Sequence, residues 1–112
     1  MHMADPTFIV YVLELEPAVW DVPKFQKEHI GHTRSRECLY VGQTAKTVEE
    51  RLKLHLAGED QSNKYVCGFF KKIRHDLVPQ EMKSFIKRED ALAAEAKLGE
   101  ELRKLGHPVW YR

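Results

Sequence analysis

"CLYVGQTAKTVEERLKLHLAG", Cys38 to Gly58, decides the fold because its periodicity changes halfway along. Leu39-Tyr40-Val41 combines aliphatic, aromatic and β-branched residues, which predicts a short strand over 39–41. Thr47 with Glu50 three residues on forms a T-x-x-E capping box, the mark of a helix start. Val48, Leu52 and Leu56 give that helix an apolar line, and Gly58 gives it a stop. Arg51 and His55 lie one turn apart on the same side of it.

Working outward toward the N-terminus, Phe8 to Leu15 (FIVYVLEL) predicts a strand bounded by Pro6 and Pro17. Alternation places Ile9, Tyr11, Leu13 and Leu15 on one face and Phe8, Val10 and Val12 on the other. Both faces are apolar, so this strand is expected at the centre of a sheet covered on both sides. It should pair with 39–41 despite the long excursion between them. Within that excursion, Asp21-Val22-Pro23 predicts a short helix through Lys27 with proline in its first turn, and 32–37 (HTRSRE) reads as polar loop.

Toward the C-terminus, a helix is expected after Ser62, carrying Tyr65, Val66, Phe69, Phe70 and Ile73, with Lys64, Lys71, Lys72 and Arg74 at its exposed end. The stretch from Asp76 (DLVPQEMKSFI) reads as extended, ending near Ile86. The last helix is expected over Glu89–Lys104, stopping at Gly106. Its apolar stripe is Ala91, Ala94, Leu98, Leu102 and Leu105, and Glu95 falls inside that stripe.

The chain has 112 residues, enough for one domain over 1–112 with a single core. Residues 1–6 read as a disordered or cloning-derived start, and 16–37 as an inserted loop. Hydrophobic residues at 43% and charged residues at 31% are ordinary for a globular domain. The longest apolar run is strand-sized and holds a glutamate, so no membrane association is expected. The first residues lack the layout of a secretory signal. Two cysteines, Cys38 and Cys67, in unrelated contexts read as reduced thiols, consistent with a cytoplasmic protein. With 18 cations against 17 anions, a uniformly basic coat is excluded, but a local basic surface is not.

Each candidate residue has two readings. Glu95 is either a core-edge ion pair, with Arg51 or a lysine, or a metal ligand, because a lone carboxylate against a core needs compensation. Arg51 and His55 are either a solvated arginine beside a boundary histidine, or an anion site in which a planar guanidinium meets phosphate. Tyr11 and Tyr40 are either core aromatics or site residues. The Lys71–Arg74 cluster is either a solvated helix end or a set of DNA-backbone contacts, which position without reading sequence. Trp110 and Tyr111 either pack the C-terminal tail or stack on bases. His29-Ile-Gly-His32 with Cys38 lacks a fourth ligand at suitable spacing for zinc, and His75 and His107 read as loop residues.

Taken together, the order Tyr11, then Tyr40-Val41-Gly42, then Arg51-x-x-x-His55, then Glu95 resembles the GIY-YIG nuclease family. The stretches LYVGQTAKTVEERLKLHLAG and EDALAAEAKLGEELRKLGHPVW are similar to its second motif with the following helix and to its closing helix. Ile9-Val10-Tyr11 stands where the first motif reads Gly-Ile-Tyr, and the asparagine that many members carry near the end has no counterpart in GHPVWYR. The resemblance implies a small α/β (α+β) fold, a three-stranded antiparallel sheet flanked by helices. It also implies endonuclease-type hydrolysis of nucleic-acid phosphodiesters, in DNA, with Mg2+ or another divalent metal. The alternative is an inactive GIY-YIG-fold module that binds nucleic acid or protein. A protein partner is expected to supply targeting.

The resemblance assigns Tyr11 as the general base or its partner, Tyr40 as the group orienting phosphate or water, and Arg51 as the stabiliser of charge on the phosphoryl oxygens. It assigns His55 as an assisting donor and Glu95 as the metal ligand. Separately from the resemblance, the basic residues Lys64, Lys71, Lys72 and Arg74 are the first choice for nucleic-acid backbone contacts. Tyrosine is a demanding base: with a reference pKa of about 10, roughly 0.1% is ionised at pH 7. Lowering that pKa by ~3 units needs about 4 kcal/mol of differential stabilisation, which Arg51 and a metal are expected to supply.

Overall fold

Strand β1 (Ile9–Leu15) lies at the centre because both of its faces are apolar and both are covered. The computed structural model describes residues 8–28, 37–45, 48–57, 68–82 and 84–110; the side chains of Glu28, Leu54 and His55 fall outside that set. A 3-10 turn over Pro17–Asp21 leads into helix α1 (Pro23–Glu28), with proline at its first position as expected. Strand β2 (Cys38–Thr44) is longer than its Leu-Tyr-Val centre suggested and runs antiparallel to β1. Helix α2 (Val48–Leu56) follows, with Glu49 and Glu50 in its first turn, where the helix dipole favours acids. The Thr47 cap and the Gly58 stop lie outside the described residues.

The helix expected to run through Ile73 ends by Phe69, and Phe70–Ile73 is instead strand β3. The free edge of β1 explains this, because its backbone donors and acceptors need partners. β3 supplies them antiparallel, pairing Leu13 with Ile73, Glu14 with Lys72 and Leu15 with Phe70, with an irregularity between Glu14 and Leu15. The strand also lays cations beside Glu14, a buried carboxylate in the middle of the sheet.

The segment expected to be extended forms 3-10 turns over His75–Leu77 and Gln80–Met82. Val78 and Met82 are buried while Gln80, midway between them, is exposed, which breaks the two-residue alternation of a strand. Phe85 then exchanges backbone bonds of 2.7 and 2.8 Å with Phe8.

Helix α3 (Arg88–Lys104) packs on the face formed by Val10, Val12, Leu39 and Val41. Ala91, Leu98 and Leu102 are buried as the stripe predicts; Leu105 is 61% exposed, because the helix has already ended. Gly106 adopts φ 96°, and bonds from Gly106 N–H to Arg103 O and from His107 N–H to Leu102 O close a Schellman turn. That turn directs the chain into a fourth strand, β4 (Val109–Trp110), parallel to β2. Among the described residues the sheet therefore has four strands in the order β3-β1-β2-β4, one more than expected, within the expected mixed α/β class. Among the described residues no helix is long and apolar enough to cross a membrane.

Candidate active site

Tyr11 and Tyr40 lie on the sheet face opposite α3. Tyr11 is directly across from Gly42, and Tyr40 is across from Leu13, so the two rings are diagonal neighbours on one face. Their centroids are 6.2 Å apart with planes inclined at 42°. The Tyr11 ring leans over the opposite strand, which is possible only because residue 42 has no side chain. A Cβ built on Gly42 would stand 2.5 Å from the Tyr11 hydroxyl oxygen and 2.6 Å from Cζ. The glycine of Tyr-Val-Gly thus makes room for the tyrosine of the preceding strand.

Arg51 reaches this hydroxyl from the second turn of α2. Its guanidinium donates a hydrogen bond to the Tyr11 oxygen. Glu95, in the middle of α3 and 3% exposed, also acts electrostatically on the Tyr11 hydroxyl. Segments from β1, β2 and α2 therefore meet around one phenol, and Glu95 on α3 adds the smallest of the charge effects on it.

The electrostatics of that phenol run against easy ionisation. Burial pushes Tyr11 well above its ordinary pKa of 10.0, and Tyr40 and Glu95 add to the rise. The charge and hydrogen bond of Arg51 pull the other way, as expected, but burial outweighs them. In this state Tyr11 is protonated at neutral pH.

The excursion between β1 and β2 packs against the same face. Val19, Trp20 and Phe25 join Tyr11, Tyr40, Leu13, Leu15 and Cys38 in one buried cluster, with Trp20 and Phe25 edge to face at 5.3 Å. The Gln26 side chain donates to the Trp20 carbonyl, fastening α1 to the preceding turn.

Of the remaining expected site residues, the His55 side chain and Lys64 lie outside the described residues, as do His29, His32 and Tyr111. Lys71, Lys72 and Arg74 sit on and just after β3 rather than at a helix end. Two of these three are engaged by Glu14: the Arg74 guanidinium donates at 2.7 Å and the Lys71 ammonium stands at 3.2 Å. Arg74 also forks onto Asp76 at 3.0 and 2.9 Å. A polar depression of about 580 Å³ is lined by these groups together with Glu37, Lys72 and Ile73.

Sequence reasoning missed Glu14. Its signal was a carboxylate inside an apolar strand, followed far downstream by a basic run. His107 is a loop residue as expected, but one whose burial was not foreseen, with Nδ1 3.2 Å from the Glu37 carbonyl oxygen and 3.3 Å from its carboxylate. Nothing local in GHPVW announces that contact.

A family model described as the GIY-YIG catalytic domain matches residues 27–107, well over half of the chain. The chain belongs to the GIY-YIG family. No curated protein and no solved structure matches it. The family's activity is nuclease-type, and its substrates are nucleic acids. The matched GIY-YIG span begins after β1, so Tyr11 is tied to the motif by geometry alone: its ring occupies the space over Gly42.

Members of the GIY-YIG family generally depend on a divalent metal. Among the described residues no group of three His, Cys, Asp or Glu side chains is placed to hold a metal. One buried carboxylate nevertheless suits magnesium, which keeps several of its waters and takes one or two carboxylates plus substrate phosphates. Glu95, on α3, is one buried carboxylate of this kind.

Proposed function

We propose that this GIY-YIG domain is a metal-dependent endonuclease that hydrolyses phosphodiester bonds of DNA. The observation that carries the reading is the Tyr11 hydroxyl: it lies over Gly42, accepts from Arg51, neighbours Tyr40 and feels the charge of Glu95. A scissile phosphate brought to this hydroxyl meets Arg51, whose fixed charge stabilises the negative charge that grows on the non-bridging oxygens under attack. Tyr11 holds the attacking water through its oxygen or donates its hydroxyl proton to the phosphoryl group, and Tyr40 restricts where that water can stand. Glu95 would hold a divalent cation, which would supply Lewis-acid polarisation of a phosphoryl oxygen.

Incubation of the pure chain with supercoiled plasmid, with and without magnesium, tests this directly. Nicking is expected with magnesium, reduced at least a hundredfold by Glu95→Gln and by Arg51→Ala, about the cost of losing a preorganised charge-stabilising group. Equal nicking by the Glu95→Gln protein would sink the assignment.

A second reading, a module that keeps the fold and binds nucleic acid without cutting it, is favoured by burial. Tyr11 is 3% and Tyr40 7% exposed, and Ile9 replaces the first motif's glycine. Salt-sensitive binding of DNA without magnesium-dependent nicking would decide for it.

A further inference from the structure

β4 was not anticipated, and its register places an aromatic side chain beside the tyrosines. Trp110 pairs with Tyr40 in the parallel β2–β4 ladder, so both side chains project from the same face, and Trp110 packs against the tyrosine cluster. Tyr11 on β1 and Trp110 on β4 are two strand spacings apart across the sheet, about 10 Å, and offset by two residues along it. The three rings follow one another on one face, Tyr11 diagonal to Tyr40 and Trp110 beside Tyr40: Tyr11 and Tyr40 are buried, and Trp110 at the outer end is only partly so.

The solvent side of that last ring is occupied by a cation. Lys24, exposed on α1, holds its ammonium 5.6 Å from the centre of the Trp110 ring. A lysine over an indole is a modest attraction, about 0.5–1 kcal/mol at exposed sites, and its long stem moves freely. An unpaired nucleobase offers the same ring a larger flat partner, and the phosphate attached to that base offers the ammonium a stronger one. Both residues lie outside the matched family span of 27–107, so this element belongs to this chain's own insertion and C-terminal strand.

We propose that Trp110 and Lys24 form a nucleotide subsite beside the catalytic centre: an unstacked base lies on the Trp110 ring while Lys24 moves to the adjoining phosphate. The subsite rests on the nuclease reading and narrows its substrate to DNA with unpaired bases next to the cut, because bases inside a duplex present no free face. Lys71 and Arg74, already neutralised by Glu14 on the far side of β1, are less available for this role than Lys24.

Intrinsic fluorescence separates the two tryptophans, since Trp20 is 6% exposed and out of reach of a stacked base. In EDTA, a single-stranded DNA oligonucleotide is expected to quench emission, and a blunt duplex of the same sequence is not. Trp110→Leu, which keeps apolar volume but loses the flat ring, removes the quench and weakens single-strand binding about tenfold; Trp110→Phe restores most of the affinity. Lys24→Ala, on an exposed site that leaves the core alone, lowers the slope of log affinity against log salt by about 0.7. If the wild-type chain nicks plasmid but Trp110→Leu binds single strands as tightly as wild type, the subsite is wrong and the nuclease reading stands. If the wild-type chain neither nicks nor binds any DNA, the nuclease reading fails and takes the subsite with it.

Discussion

The two faces of the β1–β2 pair share one backbone and serve different ends. Toward α3 the sheet presents Val10, Val12, Leu39 and Val41, aliphatic side chains that interlock with Leu98 and Leu102. Toward α1 and α2 it presents Tyr11, Tyr40 and the bare backbone of Gly42, with Arg51 bonded to a phenol in the midst of the packing. The face toward α3 is mainly aliphatic, and the buried carboxylate of Glu14 lies on it beside Arg74 and Lys71. The other buries polar groups, which must be partnered to be tolerated, and that requirement holds the reactive side chains in place. Alternation along a strand is what allows a chain of this size to have both.

The contrast can be broken most forcefully on the aliphatic face. Leu39→Ala removes a fully buried side chain and is expected to cost about 3 kcal/mol in urea unfolding, with little change in nicking per folded molecule. A large loss of activity without loss of stability would show that the faces are not separable.

Gly42→Ala tests the other side. The added methyl needs the space of the Tyr11 hydroxyl, so either strand or ring must shift, at about 2 kcal/mol. Here activity should fall further than stability, because the Arg51–Tyr11 bond is what the shift disturbs. Combining Gly42→Ala with Tyr11→Phe should recover part of the stability and none of the nicking.

The smallest effect is expected at Glu14, where burial opposes ionisation but hydrogen bonds and charge from Arg74 and Lys71 hold the carboxyl below its ordinary value of 4.5. A depressed carboxylate contributes stability above its unfolded-state pKa and loses it as pH falls through the folded one. Glu14→Gln should therefore cost about 1.5 kcal/mol at neutral pH, discounted because Lys71 is largely solvated, and progressively less below pH 4.5. Urea midpoints of both proteins measured from pH 7 to pH 3 should converge; parallel curves would remove Glu14 from the account.

What could be read in advance divides along similar lines. β1, β2, α2 and α3 each carry a periodicity of their own, and local pattern was enough to place them. β3 carries none: Phe-Lys-Lys-Ile suits a helix equally well, and the decision lies with Glu14, sixty residues away from Arg74 in sequence. β4 is settled by Gly106 and by the open edge of β2, neither of which is a property of Val-Trp. In the candidate site, Arg51 and Tyr-Val-Gly were legible from their order. The depth of Tyr11 was not, because it depends on how Trp20 and Phe25 fold back from the insertion.

The brevity of the outer strands bears on how the molecule behaves when concentrated. As described, β3 spans four residues and carries two lysines, and β4 spans two. Neither rim offers the long, flat, uncharged ladder on which a second chain would add, so the sheet that concentrates so many aromatic rings is protected at its margins from growing into an aggregate.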